Sequence, residues 1–140
     1  MIKDTASIVD ELHLCDDFKT FYDENKEYMI HTSLADMLSE LIISKELKKS
    51  EIIRLSELSQ VYGYQIFSGK RVPDRSKLLC IAIAMSLTID EAQTLLKCAG
   101  YAPLYVKIPQ DSIVLYALCK DLSVLQTNSL LFSNGLDTLG

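Results

Sequence analysis

The chain has 140 residues, 49% of them hydrophobic and 24% charged, with only 5 Gly and 3 Pro. That size and mix suit one globular chain that buries a core without metal or disulfide staples. The formal net charge of −5 excludes a nonspecific polyanion binder, no apolar run approaches the ~20 residues a bilayer span needs, and the N-terminus lacks a secretory pattern; a cytoplasmic, non-membrane protein is expected.

Charge is distributed unevenly along the chain. Residues 1–32 carry three Lys against eight acids, residues 33–87 eight Lys/Arg against six acids, and residues 88–140 three Lys against five acids. The middle stretch is the only net-basic one, so contacts to a polyanion would have to lie there.

Residues 1–32 form an acidic segment with weak helical periodicity. Ile8, Leu12 and Cys15 predict one short helix, and Phe18, Phe21 and Tyr22 another, together a helical lead-in that packs on the body. Ser33 is a candidate N-cap, with Asp36 suited to the positive helix end. Leu34, Met37, Leu38, Leu41 and Ile42 then follow the i, i+3, i+4, i+7, i+8 rule up to polar Lys45 and Glu46.

A short helix follows, opened by Lys49 or Ser50, with Ile52, Ile53 and Leu55 on its apolar side and an end near Glu57. Ser59 caps a second short helix from Gln60 to Phe67, and Gly69 suits its left-handed C-terminal position. Two short helices across a tight turn describe a helix-turn-helix. Beyond Pro73, Asp74 or Arg75 opens a helix apolar nearly all round (Leu78, Leu79, Ile81, Ala82, Ile83, Met85), the buried hub of a bundle. Thr88 and Glu91 form a capping box ahead of Ile89, Ala92, Leu95, Leu96 and Ala99, closed by Gly100.

The last third draws the same pattern again. Residues 72–104 align on 107–139 without gaps at an offset of 35, which brings Ala82 onto Ala117, Leu87 onto Leu122, Gly100 onto Gly135 and Leu104 onto Leu139. Thr88 falls on Ser123, with Gln126 at the capping-box partner position. Internal repetition and the shared physics of helix pairs both account for the match, and both predict a second hairpin over 110–120 and 124–133. Its Leu125, Phe132, Leu136 and Leu139 are partly spare, making residues 106–140 the candidate dimerisation surface.

Cys15, Cys80, Cys98 and Cys119 form no CxxC pair, and His13 and His31 stand apart from them. Zinc needs closely spaced thiolates or imidazoles, so buried free thiols in a reducing compartment are expected, with no metal and no cofactor. No GxSxG elbow, Walker loop or GxGxxG is present, and Asp16-Asp17 and Asp90-Glu91 suit a solvated face or a helix first turn. The reading is of a non-enzyme.

From Leu47 to Leu87 the chain resembles the repressor and Cro-like (XRE-like) helix-turn-helix family. Glu51 and Ile52 fall on the family's scaffold-helix Glu-Leu. Leu58, Ser59 and Gln60 fall on the Val-Ser-Gln that opens its recognition helix, and Ile66 on that helix's late core aliphatic. Gly69, Lys70, Arg71 and Pro73 fall on its Gly-Lys-Arg-x-Pro. Leu78, Leu79, Ile81, Ala82, Ala84 and Met85 fall on its Leu-Leu-x-Ile-Ala-x-Ala-Leu.

The resemblance implies an all-α, lambda-repressor-like helix-turn-helix bundle, here extended by a C-terminal helical hairpin. Residues 33–105 would be the DNA-binding core. It implies a transcriptional regulator bound as a homodimer to near-palindromic half-sites about one turn apart. The positions matching the family's base readers are Gln60, Val61, Tyr64 and Gln65. A Gln amide pairs bidentately with the adenine N6/N7 edge, and an apolar side chain meets a thymine methyl. Lys48, Lys49 and Ser50 at the scaffold-helix start, with Ser59, Lys70, Arg71 and Arg75, are the candidate phosphate contacts on double-stranded DNA.

Two positions depart from the family pattern. Glu57 stands where the turn usually has Gly, at a cost of about 1 kcal/mol if its φ is positive. Gly63 stands where a core Ile or Val is usual, so Tyr62 and Tyr64 are expected to fold a ring over the gap. The other class of function is a protein-interaction adaptor, antitoxin-like or a signalling partner, on a repurposed helix-turn-helix scaffold; in that case the cations form only a solvated face.

Overall fold

The computed structural model describes residues 4–26 and 33–140, and among these it is all-helical, with nine helices and no strand. They are α1 (Thr5–Leu14), α2 (Phe18–Asn25), α3 (Leu34–Ser44), α4 (Lys49–Leu55), α5 (Gln60–Ser68), α6 (Arg75–Ala84), α7 (Ile89–Cys98), α8 (Pro109–Lys120) and α9 (Val124–Ser133). Apart from α4 and α8, starts are set by short polar side chains. Asp4, Asp17, Ser33, Ser59, Asp74, Thr88 and Ser123 each accept a hydrogen bond from the backbone N–H three residues on. From α3 onward each helix is followed by a left-handed residue: Gly69, Gly100 and Gly135, but also Glu46, Glu57, Ser86 and Asp121.

The chain divides into two compact units, Met1–His31 and Thr32–Gly140. In the first, α1 and α2 pack together, with the Phe18 ring 6.0 Å from Phe21 and 6.2 Å from Tyr22. In the second, the hairpin set apart in the sequence as 106–140 belongs to the same unit as α3–α7.

The hub of the second unit is α6, whose residues from Leu78 to Ile83 are all buried. Its apolar circumference is explained by its neighbours: α4 packs on one side, α7 on another, and α8 and α9 on the rest. Leu38 from α3, Ile52 and Ile53 from α4, Ile66 and Phe67 from α5, Leu95 and Leu96 from α7, Val114 from α8 and Leu131 from α9 complete one continuous core. The expectation of buried thiols holds for one cysteine only. Cys80 is buried and free, and burial pushes its thiol up to about 11, whereas Cys15 and Cys98 are half-buried and Cys119 is exposed. Cys119 lies in an apolar pattern, but α8 has core on one side only, so this residue falls on its outer face.

The repeat seen at an offset of 35 extends to polar detail that no hydrophobic pattern dictates. The Gln93 side chain clamps Leu104 through Nε2 to the carbonyl (2.9 Å) and Oε1 to the N–H (2.7 Å). Asn128 clamps Leu139 in the same way at 3.1 and 2.7 Å. Arg75 Nε donates to the Ala102 carbonyl at 3.1 Å, and Gln110 Nε2 to the Asp137 carbonyl at 2.8 Å. Ser86 and Asp121 share a left-handed φ of 53° and 54°. The contacts between the hairpins are reciprocal. Tyr105 N–H, just past the first, reaches Asp111 Oδ2 in the first turn of α8; Gly140 N–H, just past the second, reaches Ser76 Oγ in the first turn of α6, both at 3.0 Å. Reciprocity of this kind is what a two-fold relation produces. The clamp also corrects one expectation: Leu139 is not spare but buried, and only Leu125 and Phe132 stand well exposed on α9.

Candidate nucleic-acid interface

Residues 56–59 join α4 to α5, and that turn explains how α5 is presented. Buried Ser56 donates from Oγ to the Ile53 carbonyl at 2.6 Å and accepts from Leu58 N–H at 3.3 Å. Between them Glu57 takes a left-handed φ of 64°, a conformation that costs a non-glycine residue about 1 kcal/mol. Ser59 Oγ then accepts from Tyr62 N–H at 3.2 Å and starts α5.

Ile66, Phe67 and Gly63 form the buried side of α5. Gly63 is explained by a close approach rather than by an aromatic ring folded over a gap. A Cβ there would lie 2.5 Å from Ile53 Cγ2 and 3.0 Å from Ile53 Cγ1. The volume that an Ile or Val on α5 would fill is supplied instead by Ile53 from α4, itself 3% exposed. Neither tyrosine is needed to cover a gap, and accordingly Tyr62 is half-buried against the core and Tyr64 is exposed.

The opposite side of α5 faces solvent. Gln60, Val61 and Tyr64 are exposed there and Gln65 is half-buried, with Val61 exposed by 69%. Six residues singled out from the sequence line one shallow depression: Lys49, Gln60, Val61, Tyr64, Gln65 and Lys70; Ser68, which no sequence pattern marks, joins them. A second depression across Gln60 and Tyr64 is lined by Ser50, Ile53, Arg54, Glu57 and Leu58. Lys49 extends over the Phe67 ring, Nζ 5.8 Å from its centroid, and lines the first depression. Lys48, exposed, is the N-cap of α4 and makes no side-chain cap bond, unlike the Ser, Thr and Asp caps elsewhere.

Two arginines behave differently from one another. Arg71 is exposed, and its Nε donates to Gln65 Oε1 at 3.1 Å, tying a cation to that side-chain amide. Arg75 is not available to a phosphate in this structure. Its guanidinium binds buried Asp111 through both carboxylate oxygens (3.1 and 3.0 Å) and the carbonyls of Ala102 and Pro103. Arg75 does stand in a helix first turn, as its position after Asp74 predicts, but its partner lies 36 residues away, where no local pattern points. Arg54, which carries no sequence signal of its own, pairs with Glu51, and that bond holds the Glu51 carboxylate below its usual range. Glu51 is thereby paired, and Glu57 remains as the carboxylate lining the second depression.

Chemically, this face offers two amides, an aliphatic and an aromatic side chain, with ammonium groups at its margin. Among the described residues no group of three or more His, Cys, Asp or Glu is placed to hold a metal ion, and no helix is long and apolar enough to cross a membrane; His31 lies outside the described residues. Compared with protein-family models, curated proteins and solved structures, the chain shows no significant match to any.

Proposed function

We propose that this chain is a sequence-specific, double-stranded-DNA-binding transcriptional regulator of the cytoplasm. α4 and α5 act as a lambda-repressor-like helix-turn-helix, and the chain works as a homodimer without a catalytic role or cofactor. One observation carries the reading: the outward side of α5 presents Gln60, Val61 and Tyr64 together, while Lys49 and Lys70 border the same depression. A helix so presented fits the B-DNA major groove, whose base edges accept amide and methyl contacts. Lys48, Lys49, Ser50, Ser59, Lys70 and Arg71 serve as backbone contacts. Arg75 is left out of that set.

Neutralising Lys48, Lys49, Lys70 and Arg71 together tests this. Each phosphate contact contributes about 0.9 to the slope of log K against log salt. The quadruple variant is expected to lose affinity for all duplexes and to show a flatter slope while its helicity is unchanged. An unchanged slope contradicts the reading. The adaptor reading docks a protein partner on the acidic N-terminal segment or on the C-terminal hairpin, where Leu125 and Phe132 are exposed; it requires that partner capture survive the four neutralisations.

A further inference from the structure

The internal repeat shows one hairpin covered and its twin bare. On the first hairpin, α4 packs against α6 and α3 against α7, with Lys45 Nζ 2.9 Å from Glu91 Oε1. On that hairpin Ile81, Leu87 and Leu95 are at most 1% exposed. Their counterparts on α8–α9 are Tyr116, Leu122 and Leu130. Tyr116 is 50% exposed, and together with Leu125, Gln126 and Ser129 these three line an open groove. The second hairpin thus keeps the apolar floor without the helix pair that lies on the first.

We infer that the groove between α8 and α9 is closed by the α8–α9 pair of a second copy of this chain, giving a four-helix interface with a two-fold axis. The covered hairpin shows what the groove accepts: a helix pair whose α3 member carries aliphatics at i, i+4 and i+7, Leu34, Leu38 and Leu41. On its outer face α9 carries Leu125, Ser129 and Phe132 at that same spacing, with Leu125 62% and Phe132 79% exposed. Charge selects the partner. None of the residues lining the groove is charged, and Gln126 stands where Glu91 binds Lys45, so the groove needs no cation from its occupant. In a chain of net charge −5, an uncharged face is one that meets its own copy without like-charge repulsion. The inference deepens the regulator reading by naming the surface of its dimer, but it rests on the repeat and is tested without DNA.

Sedimentation of the full chain, free of DNA, decides it. The wild type is expected to sediment as a dimer at micromolar concentration. Leu125→Glu combined with Phe132→Glu is expected to give a monomer with unchanged helicity, because both side chains are already exposed on the monomer. Val61→Glu on α5 is the control and keeps the dimer. A wild type that stays monomeric up to high micromolar concentration overturns the inference, whether or not a helix from another protein binds the groove. So does a dimer that survives the double substitution with the fold intact. DNA binding by either species bears only on the α5 reading.

Discussion

At Gly63 a single hydrogen atom in place of a side chain sets how closely α4 and α5 approach. Gly63→Ala gains about 1 kcal/mol of helix propensity but drives a methyl into Ile53, whose Cγ2 would lie at 2.5 Å. Overpacking of this kind costs about 1–3 kcal/mol, so net destabilisation is expected in urea unfolding. In an Ile53→Ala background the same substitution should no longer destabilise. On the outer side of α5, Gln60→Ala and Gln65→Ala should each relax preference at one base pair by about 1–3 kcal/mol, read by competition between single-base variants of a bound duplex. At this scale much was legible in the sequence. The caps Ser33, Ser59 and Thr88 and the stop at Gly69 follow from local chemistry, whereas the left-handed φ of Glu57 was raised only as a condition by the family resemblance, since a glutamate by itself disfavours it. The filling of the Gly63 gap was not, because the side chain that fills it belongs to another helix.

Between elements, the second unit is held by a few polar links over an apolar core. Asp111 is 2% exposed at its side chain and binds both Arg75 and the Tyr105 N–H. Asp111→Ala leaves a partly buried guanidinium without its counter-charge and should cost about 3 kcal/mol or more. Ser76→Ala, at the equivalent place in the repeat, removes one bond to Gly140 and should cost about 1 kcal/mol. Comparing the two variants by denaturant unfolding checks the difference. Glu91 joins α7 to α3. The Thr88 N–H and then Lys45 hold its carboxyl below the usual glutamate range. Its folded value lies below its unfolded one, so its contribution to stability is complete above the ordinary glutamate range and is lost as pH falls through the depressed value. Glu91→Gln keeps the capping-box geometry, as Gln126 does in the twin box, and should flatten the acid limb of the stability curve. The helix boundaries of α6–α9 were legible in periodicity and capping. The bonds between the hairpins were not: Arg75 and Asp111 stand 36 residues apart and Ser76 and Gly140 stand 64 apart, so they meet only once the chain has folded.

For the whole molecule, the balance of charge frames function. The acidic residues 1–32 and the net-negative 88–140 flank a net-basic middle in the chain, so the proposed function confines attraction to a duplex to the part that holds α4 and α5. A chain of net charge −5 gains little from diffuse electrostatics, so the proposed function requires that specificity at α5 supply the discrimination. The most direct test is selection of bound duplexes from a random pool at low salt, run in parallel with wild type and Gln60→Ala. The account predicts that the wild type enriches a defined motif and that the variant loses preference at one position of it. A wild-type pool that remains random would contradict the account.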